Sequence, residues 1–313
     1  MLQTGFDTIT RIMTAYTQIG SNRLKTWIIM LGFGAFITAL VYIFGMALGM
    51  DGPSALGFSG FALIFAGLMN FFSYYNSDKL VMLISGARQI QKKDNPTLFN
   101  IVENLSIAGG LPNPKVYIIE DSAPNAFATG RDPKHASIAF TAGILQKLSK
   151  LELEGVAAHE LSHVGNFDTR LMTIVSILIG TVALIADFFL RIGLHSQRDR
   201  DRNSSTGIIM IIALILAILS PIVATLIQLA ISRKREFLAD ATSVLLTRNP
   251  DSLADALLKI SNDKEPLEAA NKATAHLYIV NPLKGQKGTI GWFAGLFNTH
   301  PSIESRVKAL RNM

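Results

Sequence analysis

The sequence predicts a mainly α-helical, multi-pass membrane protein that also carries a small β-sheet. Its 313 residues are 49% hydrophobic and only 17% charged, too apolar for an ordinary soluble enzyme. Uncharged runs long enough to cross a hydrocarbon core of about 30 Å stand near the N-terminus and again in the second half. Between and after them the pattern turns mixed, with helical and strand periodicities alternating.

Residues 1–25 form an N-terminal amphipathic segment. Leu2, Phe6, Ile9, Met13 and Tyr16 share one helical face, with Asp7 and Arg11 off it. This suits a helix lying on a membrane surface or packing on the protein. Residues 26–77 form a hairpin of two spans, Thr26 to Met50 and Gly52 to Ser77, both uncharged and joined at Met50-Asp51-Gly52-Pro53. A cleaved signal peptide is excluded, because the first run is too long and a second span follows at once. Arg11, Arg23 and Lys25 precede this hairpin and Lys79, Arg88, Lys92 and Lys93 follow it, so both flanks are expected in the cytoplasm.

Residues 78–170 make a first polar unit. Asp94-Asn95-Pro96 starts a helix with Leu98, Ile101, Val102, Leu105 and Ile107 at helical spacing, ending at Gly109-Gly110. Strands follow at Lys115 to Ile119 and around Ser137 to Phe140, with Asn125 to Gly130 and a turn at Arg131-Asp132-Pro133 between them; Lys150 to Arg170 is helical. Residues 171–231 hold a second hairpin, with one run broken by Asp187 and the other, 207–231, containing Pro221. Arg191, Arg198, Arg200 and Arg202 in its loop oppose a far-side location, but the length of the second run favours two crossings. Residues 232–313 are a second polar helical unit.

The net charge of +6 does not indicate nucleic acid: the basic residues are scattered, several flank apolar runs, and no recognition motif accompanies them. With no cysteine, disulfides, thiolate metal sites and cysteine nucleophiles are excluded. The chemistry-bearing motif is Ala157-Ala158-His159-Glu160-Leu161-Ser162-His163. Two histidines four apart lie on one face of a helix and can reach one ion, with Glu160 placed to take a proton from the attacking water. A catalytic zinc needs a third ligand. Glu236 and Asp240 share a helical face just past the fourth apolar run; Glu236 can complete the coordination while Asp240 hydrogen-bonds a ligand imidazole. Taken alone, Arg233, Arg235, Glu236 and Asp240 suit a solvated ion-pair ladder better.

From about residue 75 to 310 the sequence resembles the HtpX-like membrane zinc metalloproteases, relatives of the CAAX prenyl proteases within the gluzincin group. The resemblance rests on Asn125-Ala-Phe-Ala-Thr-Gly130, the Ala-Ala-His-Glu-x-x-His helix, Arg-Glu-Phe-x-Ala-Asp at 235–240, and Thr299-His300-Pro301. It implies a zincin-like protease domain split between 78–170 and 232–313, and one zinc ion per chain held by His159, His163 and Glu236. Asp240 is implied as the partner of a ligand histidine, His159, and Glu160 as the general base. It further implies that Asn125, Ala126 and Phe127 form an edge strand against which substrate backbone pairs, a mode with little sequence selectivity. His300 and Arg306 fall in a stretch similar to the family's His-Pro motif, where they hold substrate or the oxyanion, or cap the structure. Asp168 reads as a residue organising the helix exit, and His135, His195 and His276 as surface or core histidines.

The implied activity is endopeptidase cleavage of polypeptides, with misfolded or damaged membrane proteins as substrates. The implied setting is the bacterial inner membrane, in contact with the lipid bilayer and with the active site facing the cytoplasm. The alternatives are a CAAX-type processing protease, for which no prenyl-binding chamber is evident, and a non-catalytic zinc-binding membrane scaffold. Oligomeric state has no signature in the sequence.

Overall fold

The computed structural model describes residues 24–46 apart from 26, 40 and 44, then 50–179, 233–270, 274–280, 282 and 301–313. Residues 1–23 of the expected N-terminal segment lie outside these residues, as does most of the second hairpin. The described parts of 24–46 are helical, and helix α1 follows at Gly52–Tyr75. Helix α2 spans Ser77–Ile84, strand β1 Arg88–Gln89 and helix α3 Pro96–Ala108. Strands β2 (Lys115–Ile119), β3 (Ala126–Gly130) and β4 (Ala136–Thr141) come next, then helices α4 (Ala142–Lys147) and α5 (Lys150–Gly165). After a helical stretch at 168–179, helices α6 (Arg233–Thr247), α7 (Pro250–Asn262) and α8 (Ile303–Leu310) complete the fold.

The mainly helical class with a small sheet is found. Among the described residues, however, no helix is long and apolar enough to cross a membrane. Helix α1 is nonetheless free of charged residues over its whole length, as the run suggested.

The sheet has the order β1-β2-β4-β3. Strands β2 and β4 are parallel, with Val116 opposite Ile138, and β3 runs antiparallel to β4, with Ala128 opposite Ile138. Every residue of β4 is buried, because both faces of the sheet are covered. Side chains alternate accordingly. Val116, Ala126, Ile138 and Phe140 face a core shared with α3, α5 and α7, whereas Tyr117, Phe127 and Ala139 face one shared with Val81, Met82, Met172 and Tyr278.

Helix α5 is the spine of the domain. Ser149 starts it with a capping box: its N–H donates to Glu152 Oε2 at 2.7 Å while its hydroxyl accepts from the Glu152 N–H at 3.4 Å. Lys259 of α7 ties down the same carboxylate at 2.8 Å. Packing is close where α5 meets α7, since a Cβ on Gly155 would stand only 2.7 Å from the Leu253 nitrogen. Twelve of the sixteen α5 residues are buried, so its motif is held on all sides by the core.

Candidate metal centre and peptidase site

The α-helical repeat of α5 puts His159 and His163 one turn apart with their Nε2 atoms 3.2 Å from each other. Helix α6 packs against α5 and carries Glu236 to the same point. Its Oε2 lies 3.8 Å from His159 Nε2 and its Oε1 3.6 Å from His163 Nε2. These three side chains are buried and offer ligand atoms within 4.8 Å of one another. Glu160, only 2% exposed, sits on the neighbouring face of α5, toward β3, where the Ala128 N–H stabilises its charged form.

Each imidazole is backed by a carboxylate on its other nitrogen. Asp240, one turn after Glu236 on α6, places Oδ1 3.0 Å from His159 Nδ1. Asp168 places Oδ2 3.1 Å from His163 Nδ1. Both contacts assign an Nδ1–H donor and leave each Nε2 lone pair facing Glu236. The Asp168 contact depends on the end of α5, where Phe167 adopts a left-handed φ of 59°. That residue turns the chain back on itself, so Asp168 returns beside the helix instead of continuing around it. Asp168 is therefore part of the ligand support, beyond the helix-exit role read from spacing alone.

An exposed ion-pair ladder on α6 is ruled out: Arg235, Glu236 and Asp240 are all buried. Arg235 Nε lies 3.8 Å from Asp168 Oδ1. Arg306 of α8 is fully buried and grips Asp240 in a fork, Nε to Oδ2 at 2.9 Å and Nη2 to Oδ1 at 2.6 Å. Its Nη1 also lies 3.4 Å from Glu236 Oε2. Arg306, expected either to hold substrate or the oxyanion or to cap the structure, is enclosed beside the ligand set, where the buried Asp240 requires a buried countercharge. His300 and His195 lie outside the described residues. His135 pairs with Asp132 at the surface, and His276 is a core histidine within 3.2 Å of the Ser176 hydroxyl and the Met172 carbonyl.

Burial lowers the pKa of His159 to about 4, with the Arg306 charge adding to the effect. Burial also opposes charge on His163, but the Asp168 hydrogen bond and Glu236 outweigh it and raise that pKa to about 9. For Glu160 burial dominates and raises it to about 7.

Strand β3 is the sheet edge beside Glu160, and its outward groups are partly used. The Ile279 N–H donates to the Ala126 carbonyl at 3.0 Å, and Asn125 Nδ2 donates to the Val280 carbonyl at 2.9 Å. Phe127 is fully buried and meets Tyr278 edge to face at 5.0 Å. Further along, Gly130 N–H donates to Thr173 Oγ1 at 3.2 Å. Asn125, Ala126 and Phe127 are thus covered by the chain's own segment 278–280, since an apolar edge with an outward carbonyl attracts such cover. Ala128 is the outward-facing residue between the two covered points.

A helix bearing H-E-x-x-H, whose imidazoles converge on a carboxylate from a second helix and are each backed by another carboxylate, defines a metallopeptidase. The chain belongs to Peptidase family M48, whose family model matches residues 92–313. A "Protease HtpX homolog" of Dictyoglomus thermophilum is 43% identical over 304 residues, spanning 96% of this chain and 95% of that protein. One from Tropheryma whipplei (strain Twist) is 45% identical over 298 residues, spanning 95% and 98% respectively. Among solved structures, the "Crystal Structure of S. mikatae Ste24p" aligns with a TM-score of 0.46 at 18% identity, covering 99% of this chain and 74% of that one.

The backing carboxylate of His163 yields its own prediction. Asp168→Asn is expected to weaken metal affinity by roughly 10 to 100-fold while the fold persists, because the amide keeps the shape but loses the charge that orients the ring. Metal affinity measured against a competing chelator checks it.

Proposed function

We propose that this protein is a zinc-dependent endopeptidase of the membrane, with zinc held by His159, His163 and Glu236 and with Glu160 as general base. The observation that carries the reading is the convergence of two imidazole nitrogens and one carboxylate beside a second buried acid, Glu160. The donor set fits a divalent ion of zinc's chemistry, which favours imidazole and carboxylate in this number. The charge also fits. Among the described residues, the carboxylates of Glu160, Asp168, Glu236 and Asp240 face the guanidinium groups of Arg235 and Arg306. With both imidazoles neutral, as metal ligation requires, and Glu160 ionised, the excess of two negative charges matches one divalent cation.

Zinc, when bound, supplies Lewis-acid polarisation of the scissile carbonyl and activation of water. The protein's own groups do the rest. A Glu160 carboxylate oxygen accepts the proton of the attacking water and returns it to the leaving amine nitrogen, a task suited to an acid whose ionisation lies near 7. Asp240 and Asp168 hold the ligand rings in orientation, and Arg306 and Arg235 hold those carboxylates. The substrate backbone adds at the β3 edge at Ala128, taking over the N–H that Glu160 holds in its absence, since the groups at Ala126 and Gly130 are already paired. Unfolded or damaged membrane proteins suit such a site, which selects extended backbone more than side chains.

The hairpin before the protease domain is read as the membrane anchor. Trp27, Leu31, Leu56, Phe61, Ile64 and Phe71 are all large, apolar and exposed, an arrangement that water disfavours and lipid accepts. The basic flanks put the active site on the cytoplasmic side of a bacterial inner membrane.

The deciding test is elemental analysis and cleavage of an unfolded polypeptide by the purified full chain. One tightly held zinc per chain, with cleavage lost on chelation and restored by zinc, is expected. Cleavage that persists in metal-free protein would discard the reading, and a scaffold would bind without cleaving. Reporter tags at the N-terminus, at 52 and at the C-terminus are expected on the cytoplasmic, external and cytoplasmic sides; an external C-terminus would reverse the orientation.

A further inference from the structure

We infer that the foot of the N-terminal hairpin is a binding site for one anionic glycerophospholipid, its acyl chain in the groove between the two helices and its phosphate on Arg170. This rests on the membrane reading above and adds a specific ligand to it. The groove has a volume of about 510 Å³, within the range of built ligand pockets, which is about 300–1,000 Å³. Its walls are apolar, from Trp27, Leu31, Leu63 and Phe71, and it exists because Gly34 and Gly67 leave space where the helices face each other. Among the described residues, Arg170 is the one charged residue lining it.

The state of that arginine points to an anion. Its Nε donates to the Arg131 carbonyl at 2.6 Å and its guanidinium lies 5.4 Å from the Phe167 ring, which fixes the side chain without neutralising it. Among the described residues no carboxylate pairs with it. Arg131, by contrast, is already engaged, with Nη1 donating to the Tyr75 carbonyl, its guanidinium over the Tyr75 ring and Asp132 3.5 Å from its Nε. A fixed, uncompensated guanidinium at the end of an apolar groove complements a molecule with an anionic head and an apolar tail. Trp27, Tyr74 and Tyr75 gather at the same end of the hairpin, as aromatic residues do at the depth where lipid phosphates lie.

Trp27 makes the site measurable. The chain has two tryptophans, so Trp292→Phe leaves Trp27 as the sole emitter. That protein, in bilayer nanodiscs of phosphatidylcholine, receives a minor fraction of acyl-brominated lipid bearing either a glycerol or a choline headgroup. Brominated phosphatidylglycerol is expected to quench Trp27 as though enriched about fivefold over brominated phosphatidylcholine, the preference one basic residue near the surface confers. Arg170→Gln is expected to abolish the preference. Gly67→Leu is expected to weaken quenching by the anionic lipid, since a Cβ there meets nothing within 4 Å and the side chain fills the groove. Equal quenching by both headgroups in the Trp292→Phe protein overturns the site while leaving the anchor intact. No quenching even when every acyl chain is brominated overturns the membrane reading and the site together.

Discussion

Glu160→Gln is expected to purify folded and zinc-loaded, yet not to cleave. The amide approximates the carboxylate in shape, so the core around α5 keeps its packing, and Glu160 is not among the three groups that converge on the metal position. What the amide cannot do is accept a proton. General-base catalysis contributes about 10²–10⁴-fold, so activity is expected to fall by at least that much. The substitution also removes an acid whose charge burial opposes, raising its pKa to about 7, which argues for equal or slightly greater stability. Cleavage rate, zinc content and thermal melting on one preparation check all three statements. Cleavage at the wild-type rate sinks the assignment of the base.

The acids of α6 are expected to fail in different ways. Glu236→Ala loses most of its zinc, because the cluster of described ligand groups is reduced to two imidazoles. Asp240→Ala does more than weaken the metal by the 10 to 100-fold that loss of an orienting carboxylate costs. It leaves Arg306, fully buried and forked onto Asp240, with only the longer contact to Glu236, and breaking such a buried pair costs about 3–5 kcal/mol. That is a large share of the 5–15 kcal/mol typical of a folded domain, so Asp240→Ala is expected to melt far below Glu236→Ala. Asp240→Asn separates the two effects, since its carbonyl can still accept one bond from Arg306. Elemental analysis and melting curves of the three variants decide. Full zinc occupancy in Glu236→Ala removes the third ligand, and an unchanged melting point in Asp240→Ala removes the Arg306 pairing.

The sequence by itself determined the local features of the site. The spacing of His159 and His163, the position of Glu160 between them, and the shared face of Glu236 and Asp240 follow from the helical repeat, which needs no tertiary information. The same holds for β2, β4 and the helix opened by Asn95, whose side chain accepts from the Leu98 N–H at 3.0 Å. Uncharged runs were equally plain as composition, but whether a run becomes a span depends on the helix it forms and its neighbours. Tertiary structure alone decided the surroundings of the metal position. Asp168 reaches His163 only because Phe167 takes a left-handed turn, a conformation no residue type announces except glycine or asparagine. Arg306 meets Asp240 across 66 residues, and Asn125 meets Val280 across 155. Contacts of that separation are set by which helices pack and which strand edge is left open, and a buried charge finds its partner wherever the fold delivers one. Periodicity reports one element at a time, so it could name the ligands; what holds them in place depends on how α5, α6 and α8 meet.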